Sequence, residues 1–313
     1  MFMKKWLLLI VFVLIIYGCS SERTDAPNDR NYRSGTKGLE LEFPVDLPDQ
    51  LYENERNIVF SVEVNNEGAF PQYEELNDFE GYLWVGGYDD GIIAISPTDG
   101  IYLEAEELEG KSQYLEYGGS TIAEFDAVVY DLPSGASYYK PNLLFTLTYV
   151  YRTIASPVVC IDTEPRSVVV RDKVCSVQES MSVASQGAPV SVTKIEQNVA
   201  SDDIFFKIYV KNSGGGLVIP IEDVDNNPSE GYDRRELNEV YIDDVAIGVT
   251  RMSYCRPSIG DWLELVDGEG VIFCTLDKGL AGDSVYTSPL NIDLLYGYSN
   301  TETKQIEIFE EIV

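Results

Sequence analysis

The sequence contains no histidine. That excludes Ser-His and Cys-His hydrolases, His-ligated zinc or iron centres, and the usual proton shuttle at neutral pH. Basic residues are scarce: 22 Lys and Arg stand against 53 Asp and Glu, a formal net charge of −31. A chain acidic along its whole length lacks the cationic footprint that nucleic acid or an anionic membrane surface requires. Its charge suits a salt-rich exterior, divalent cations or colloidal solubility. Long helical periodicity is also missing after the N-terminus, and residues 103–108 predict no more than one acidic turn. Catalysis by such a chain would rest on carboxylates, Lys, Tyr or a Ser-Lys pair.

Cysteine is sparse, and its placement is informative. Lys4 and Lys5 precede an apolar run from Trp6 to Tyr17, followed by Gly18-Cys19-Ser20-Ser21. This is a secretory signal pattern, too short for a membrane span of about 20 apolar residues. Ile16-Tyr17-Gly18-Cys19 resembles a lipoprotein lipobox, in which the thiol of Cys19 takes the lipid and becomes the new N-terminus. The expected organisation is a signal peptide (1–18), then a lipidated cysteine and flexible polar spacer (19–37) too poor in apolar residues to order itself. The expected location is the extracytoplasmic face of the membrane, and the expected partner there is the membrane itself through the anchor.

With Cys19 set aside, Cys160, Cys175, Cys255 and Cys274 remain, an even number for an oxidising compartment. Three pairings are open, and sequence proximity favours Cys160–Cys175 and Cys255–Cys274. A loop of about 15 residues closed in this way gains around 3 kcal/mol. A four-thiolate zinc site is the alternative, but it favours Cys-x-x-Cys pairs that are absent here.

The body of the chain repeats itself. Ile58 to Gly68 aligns with Ile204 to Gly214 at an offset of 146 (Ile58 to Ile204). Phe60, Val62 and Val64, like Phe206, Ile208 and Val210, alternate with polar residues as in a half-buried antiparallel strand. Asn-x-Gly then predicts a tight turn with left-handed backbone. Phe145, Leu147, Tyr149 and Tyr151 match Ile292, Leu294, Tyr296 and Tyr298, and Phe125–Tyr130 matches Val271–Leu276.

Strands are expected near 38–43, 57–64, 81–86, 91–95, 124–130, 143–151 and 156–161. The second series lies near 190–195, 203–211, 217–222, 239–242, 245–251, 271–276, 289–298 and 304–310. The fold class is therefore all-β: two tandem immunoglobulin-like β-sandwiches, 38–165 and 189–313, joined by a junction at 166–188. Val62 to Gly68, Leu132 to Ser137 and Leu143 to Tyr151 resemble CARDB-type immunoglobulin-like modules of prokaryotic surface proteins, particularly the tandem acidic modules of archaeal envelope proteins. The second copy departs at Gly279 to Ser284, where the proline is missing. The resemblance implies adhesion, envelope assembly or spacing, and carries over no catalytic residue.

Two features point toward ligands. Asp223, Asp225 and Asn227 offer hard oxygens to calcium, although Pro228 and Arg234 stand where an EF-hand needs Gly and Glu; solvated turns are the commoner use of such loops. Tyr82, Trp84 and Tyr88, with Tyr138-Tyr139, are the residue types that stack on sugars, but tyrosine is equally a strand residue. No other cofactor is implied. The expected function is a non-enzymatic surface lipoprotein acting in adhesion or as an envelope subunit toward a protein or glycan partner. The alternatives are a histidine-free, carboxylate-based glycoside hydrolase with an accessory sandwich and a calcium-stiffened spacer. The spacer alternative predicts a melting temperature that rises with millimolar calcium and falls with chelator; an unchanged melt would exclude it.

Overall fold

In the computed structural model, residues 32–167 and 173–311 are described; Cys19 and the rest of the leader lie outside them. Alternating apolar residues and Gly, Pro, Asn and Asp breaks make nearly every element a strand. The first half supplies β1 (Leu39–Glu42), β2 (Gln50–Tyr52), β3 (Ile58–Asn66), β4 (Gly81–Gly86), β5 (Ile93–Ser96) and β6 (Ile101–Tyr102). It continues with β7 (Ser120–Val129), β8 (Tyr138–Tyr139), β9 (Asn142–Ala155) and β10 (Val158–Ile161). The second half begins with β11 (Ser180–Ser182), β12 (Val190–Val199), β13 (Asp203–Asn212), β14 (Leu217–Ile219), β15 (Glu239–Ile247) and β16 (Thr250–Arg251). It ends with β17 (Tyr254–Arg256), β18 (Trp262–Glu264), β19 (Glu269–Asp277), β20 (Tyr286–Gln305) and β21 (Glu307–Phe309).

The strands expected at 239–242 and 245–251 are largely one: β15 runs through, with a register irregularity between Ile242 and Asp244. The stretch expected as strand to residue 222 turns at Pro220, where a ring nitrogen without a proton cannot extend the ladder.

A four-stranded sheet (β1-β3-β7-β5) covers the first half, and a five-stranded sheet (β11-β12-β13-β19-β17) covers the second. Both pack on a nine-stranded sheet in which β4 and β9 belong to the first half, β20 and β15 to the second. Each half is thus a sandwich, and one layer is continuous between them, so that everything from Tyr32 onward is one compact unit. Phe60, Val62 and Val64 point inward with Phe206, Ile208 and Val210, all buried. The segment expected as a junction contributes β11, which pairs with Lys194–Glu196 of β12. The end of the expected spacer also docks: the Gly35 amide donates to Ser185 Oγ at 2.9 Å and the Gly187 amide to the Gly35 carbonyl at 3.0 Å.

The join is an antiparallel ladder between β9 and β20. Val150 pairs with Gly297, Tyr149 with Tyr298 and Tyr151 with Tyr296. With an offset of 147 here (Tyr149 to Tyr296), Val150 is equivalent to Gly297 and faces it, so a pseudo-twofold axis passes through that pair and each flanking tyrosine faces the equivalent of its neighbour two residues on. The same diagonal continues outward, through β10 (Cys160 opposite Thr287) at one end and β8 with β21 (Tyr139 opposite Ile308) at the other. Pairing of this length satisfies the backbone groups of two strands that would otherwise be open edges.

Four tyrosines gather at the axis on the inner side, with neighbouring ring centroids 5.7 to 6.4 Å apart. All four are buried, and burial raises every one of their phenol pKa values, that of Tyr298 to about 12. They stay neutral donors and acceptors. Tyr151 Oη accepts from the Phe70 amide at 3.3 Å and lies 3.4 Å from Asn66 Oδ1. Tyr298 Oη repeats the arrangement, accepting from the Gly216 amide at 2.7 Å and lying 3.1 Å from Asn212 Oδ1.

This corrects the role expected of Asn-x-Gly. Neither Gly68 nor Gly214 is among the positive-φ residues. Glycine is needed there for close approach: a Cβ would sit 1.7 Å from Tyr151 Oη at Gly68 and 2.6 Å from Tyr298 Oη at Gly214. The third repeat match is also corrected. Phe60 pairs with Phe125 and Phe206 with Cys274, so Phe125 corresponds to Cys274, three residues beyond the simple alignment.

Both disulfides follow sequence proximity, Cys160–Cys175 and Cys255–Cys274. The second joins directly opposed residues of β17 and β19. Gly68→Ala should cost about 2–3 kcal/mol by overpacking, and Gly214→Ala less, because its tyrosine has farther to clash. Tyr151→Phe should cost about 1 kcal/mol for its lost hydrogen bonds. Urea denaturation of the three variants tests the order; equal losses at the two glycines would contradict the clash as the cause.

Candidate functional site

On the outer side of the nine-stranded sheet, the second half carries a longer segment between β13 and β15 than the first half has between β3 and β4. After β14 the chain turns at Pro220 and crosses the ladder. Val224 and Ile219 bury themselves against Val150, with Tyr82, Tyr232 and Leu237 packed around them. The crossing passes over Gly297, where a Cβ would come within 2.7 Å of the Ile219 and Pro220 carbonyl oxygens. A polar chain locks it down: Trp84 Nε1 donates to Thr148 Oγ1 at 2.9 Å, and Thr148 Oγ1 donates to the Val224 carbonyl at 2.7 Å.

Beside this crossing lies a groove of about 1050 Å³, walled by β4, β9, the polar end of β20 and the loops at 214–217 and 227–232. Its floor includes Thr146 and Thr301, whose hydroxyls are 2.9 Å apart, and Leu144. Trp84, Tyr88 and Tyr232 supply aromatic surface. Asn300 Oδ1, in its lining, is shielded from solvent without a hydrogen-bond partner, and Tyr232 Oη is shielded beside the Ser299 hydroxyl. Asn300 is held by its other end, donating to the Leu39 carbonyl at 3.2 Å. Burial raises the Tyr232 phenol pKa, opposed by the Ser299 hydroxyl beside it. A shielded carbonyl oxygen is an acceptor that an incoming donor would satisfy.

The groove carries Glu40, Asp90 and Glu302 and has no Lys or Arg in its lining. Burial raises the Glu40 carboxyl pKa, Lys37 opposes that rise, and Glu67 and Glu302 add to it. Lys37 itself is tied to both Glu40 and Glu67 at 3.3 Å. Anionic ligands are disfavoured here, and neutral polar or cationic ones are accommodated.

A smaller hollow of about 400 Å³ lies beside Val150 and is lined by Phe79, Tyr102 and Arg152. Where the groove has Thr146 and Ser299, the pseudo-twofold positions hold Asp293 and Arg152, in contact at 3.6 Å, with Asp243 3.4 Å from the same guanidinium. Burial dominates over Arg152 and lifts the Asp293 pKa to about 6. One side is filled by charge, and the other is open and neutral at its floor.

The residues expected as ligands are dispersed among these features. Asp223 Oδ1 accepts from Asn226 Nδ2 at 2.7 Å, Asn227 Oδ1 caps a short turn by accepting from the Ser229 amide at 3.0 Å, and Asp225 is exposed. Among the described residues, no group of three or more Asp, Glu or Cys side chains is placed to hold a metal. Asn227 belongs to the groove wall. Tyr82 stacks between Trp84 and Tyr102, at 5.8 and 5.5 Å, and Trp84 is buried, so this pair works mainly as packing. Asp89 Oδ1 accepts from the Gly91 amide at 2.9 Å, closing a local turn. Sequence reasoning missed Thr146, Tyr232, Asn300 and Thr301. Only Asn300 carried a signal, a polar residue in the inward row of β20 shared with Tyr296 and Tyr298; Thr146 and Thr301 sit at outward positions where polar residues are the expectation, and Tyr232 lies in a loop.

No family model matches the sequence, and no curated protein matches it. Among solved structures, the E. coli chaperone DraB aligns with 89% of this chain and 100% of its own at 10% identity, with a TM-score of 0.19. A structure titled BspA_C_WT aligns at 8% identity and TM-score 0.16, covering 87% of this chain and 98% of its own. The collagen binding domain of the Erysipelothrix rhusiopathiae surface protein RspB aligns at 9% identity and TM-score 0.14, covering 87% and 97%. Scores this low carry no argument about fold or function.

Asp293 gives this face a pH signature. The folded protein keeps its proton to about pH 6, whereas the unfolded chain releases it near the ordinary aspartate value of 3.8. The folded state then binds more protons between these values, so stability falls as pH rises from about 4 to 6. Asp293→Asn should remove that decline, seen as a flatter plot of urea midpoint against pH. An unchanged slope would acquit Asp293.

Proposed function

We propose that the protein is a lipid-anchored, non-enzymatic surface protein acting in adhesion or envelope assembly, and that it holds a neutral glycan chain in the groove. The observation that carries the reading is the groove, where both halves contribute walls and the lining retains a shielded, unpartnered Asn300 carbonyl oxygen. Hydroxyls of Thr146, Ser299 and Thr301 and the amides of Asn227 and Asn300 match a polyhydroxylated ligand. Tyr88 and Tyr232 offer ring surface, and the three carboxylates turn away anionic polymers. Surface display is supported by the signal pattern ending at Cys19 and by two disulfides, which persist in oxidising compartments. The resemblance of Val62–Gly68 and Leu143–Tyr151 to CARDB-type modules agrees with this placement.

A second reading has its own observation. Glu40 and Glu302 both line the groove, each within reach of the other's charge. A histidine-free glycoside hydrolase would use such a pair. Under the binding reading, titration calorimetry with neutral oligosaccharides detects binding without turnover. Asn300→Ala and Tyr232→Phe then weaken it roughly three- to tenfold each, the worth of one hydrogen bond. Reducing sugar released by the wild type and abolished in Glu302→Gln would establish the hydrolase instead. The anchor is checked separately: Cys19→Ser should abolish incorporation of labelled palmitate, and a labelled variant would refute lipidation at that residue.

A further inference from the structure

The inward-facing Tyr149, Tyr151, Tyr296 and Tyr298 lie on one side of the nine-stranded sheet, so both covering sheets are packed on that side. Their outer surfaces consequently look out from the same broad face of the molecule. In a duplicated chain these two surfaces began alike, and they have diverged in a complementary way.

The outer face of the first covering sheet is acidic and lightly apolar. β1, β3 and β7 contain no Lys or Arg. Glu42 and Glu63 sit opposite each other, Ile122 follows in the same row, and Glu124 and Asp126 occupy the next outward positions of β7. Val59 and Ile122 are exposed among them, at 38% and 66%.

The equivalent face of the second half carries aromatic rings and more cations than carboxylates: Glu196 pairs with Lys194 at 2.8 Å and with Lys207 at 3.9 Å, and Glu269 pairs with Lys211 at 2.7 Å, while Arg256 has no carboxylate among these pairs. Ser61 and Asn65 correspond to Lys207 and Lys211, Glu63 to Tyr209, and Val59 to Phe205. Lys207, Phe273 and Arg256 form one row across β13, β19 and β17. Cations lie over rings throughout: Lys194 is 3.9 Å from the Tyr209 centroid, Lys207 is 5.4 Å from that of Phe273, and Arg256 is 5.8 Å from that of Tyr254. Phe205, Phe273 and Tyr254 are exposed at 41%, 49% and 54%. Only 22 basic residues exist in the whole chain, so this concentration is local and specific.

We infer that the two faces bind each other between two copies of this chain, the acidic face of one against the cationic, aromatic face of its partner, and reciprocally. Because both faces look out on the same side, one twofold axis makes both contacts at once and closes the assembly as a dimer. A net charge of −31 per chain opposes association at long range. At about 0.15 M salt, screening over about 8 Å leaves the remote charges weak while the contacting pairs keep their attraction. The inference does not rest on the groove; the two share only the neighbourhood of Glu40, whose strand borders the acidic face.

The test is the mass of the full-length protein in detergent micelles, by light scattering coupled to size exclusion at about 0.15 M salt. Two copies per particle are expected. Lys207→Glu with Lys211→Glu should weaken the dimer at least tenfold, and Phe273→Ser should weaken it as well. Adding Glu63→Lys with Glu124→Lys to the doubly reversed chain should restore the dimer, since the charge pattern is then swapped on both faces. Circular dichroism verifies that each variant is folded, as expected for outward side chains. A monomeric wild type, a dimer indifferent to reversal, or failure of the swapped chain to recover would overturn the inference. Binding of an anionic polysaccharide to a monomer, lost in Lys207→Glu, would assign the cationic face to a polyanion instead.

Discussion

The ladder between β9 and β20 is the constraint from which the other features descend. A sandwich built from the first half alone would leave β9 as an open edge, and one built from the second would leave β20 open. Such edges recruit other strands. Here each closes the other, in a register that places Val150 against Gly297 and brings four tyrosines together over the axis. The register also decides that both covering sheets pack on one side and that the outer side is a continuous surface. Gly297 then lets the segment after β14 cross close to the sheet, because no Cβ stands in its way.

Symmetry is kept where the chain needs identical support and broken where the halves differ in use. The tyrosine nodes are kept: Asn66, Gly68 and Tyr151 reproduce Asn212, Gly214 and Tyr298 down to the amide each hydroxyl receives. Those contacts hold the end of β3 or β13 onto the central sheet, a task both halves share. The outer floor is broken, with Asp293 and Arg152 on one side and Thr146 and Ser299 on the other. The covering sheets are broken too, one turned acidic and the other cationic. Inward positions are constrained by packing and hydroxyl geometry, whereas outward positions can diverge without loss of the core.

Much of this was legible residue by residue. Alternation placed β4 at its observed limits of 81–86, and proximity paired the four cysteines. The repeat at Phe145–Tyr151 and Ile292–Tyr298 identified the two strands that later proved to be the spine. Other elements were read too locally. Asn-x-Gly looks like a turn because those residues favour turns, yet its glycine answers to a tyrosine hydroxyl more than eighty residues away in sequence. The lengths of β9 and β20 exceed the expected 143–151 and 289–298 because each strand is extended by its partner, information that neither segment holds alone.

The sequence by itself determined what depends on near neighbours: the period-two pattern, the turn residues, the duplication, the cysteine spacing and the exclusion of histidine chemistry. These are local or compositional properties, read without knowing what any residue touches. Only the tertiary structure decided that the two copies share a sheet, that Asn300 reaches the groove with its carbonyl oxygen unpaired, and that acidic and cationic faces lie on one side. Each of those depends on which strand edge meets which. That choice is made by the combined burial and hydrogen bonding of residues far apart in the chain, and a one-residue change of register would turn every one of the side chains concerned to the opposite face.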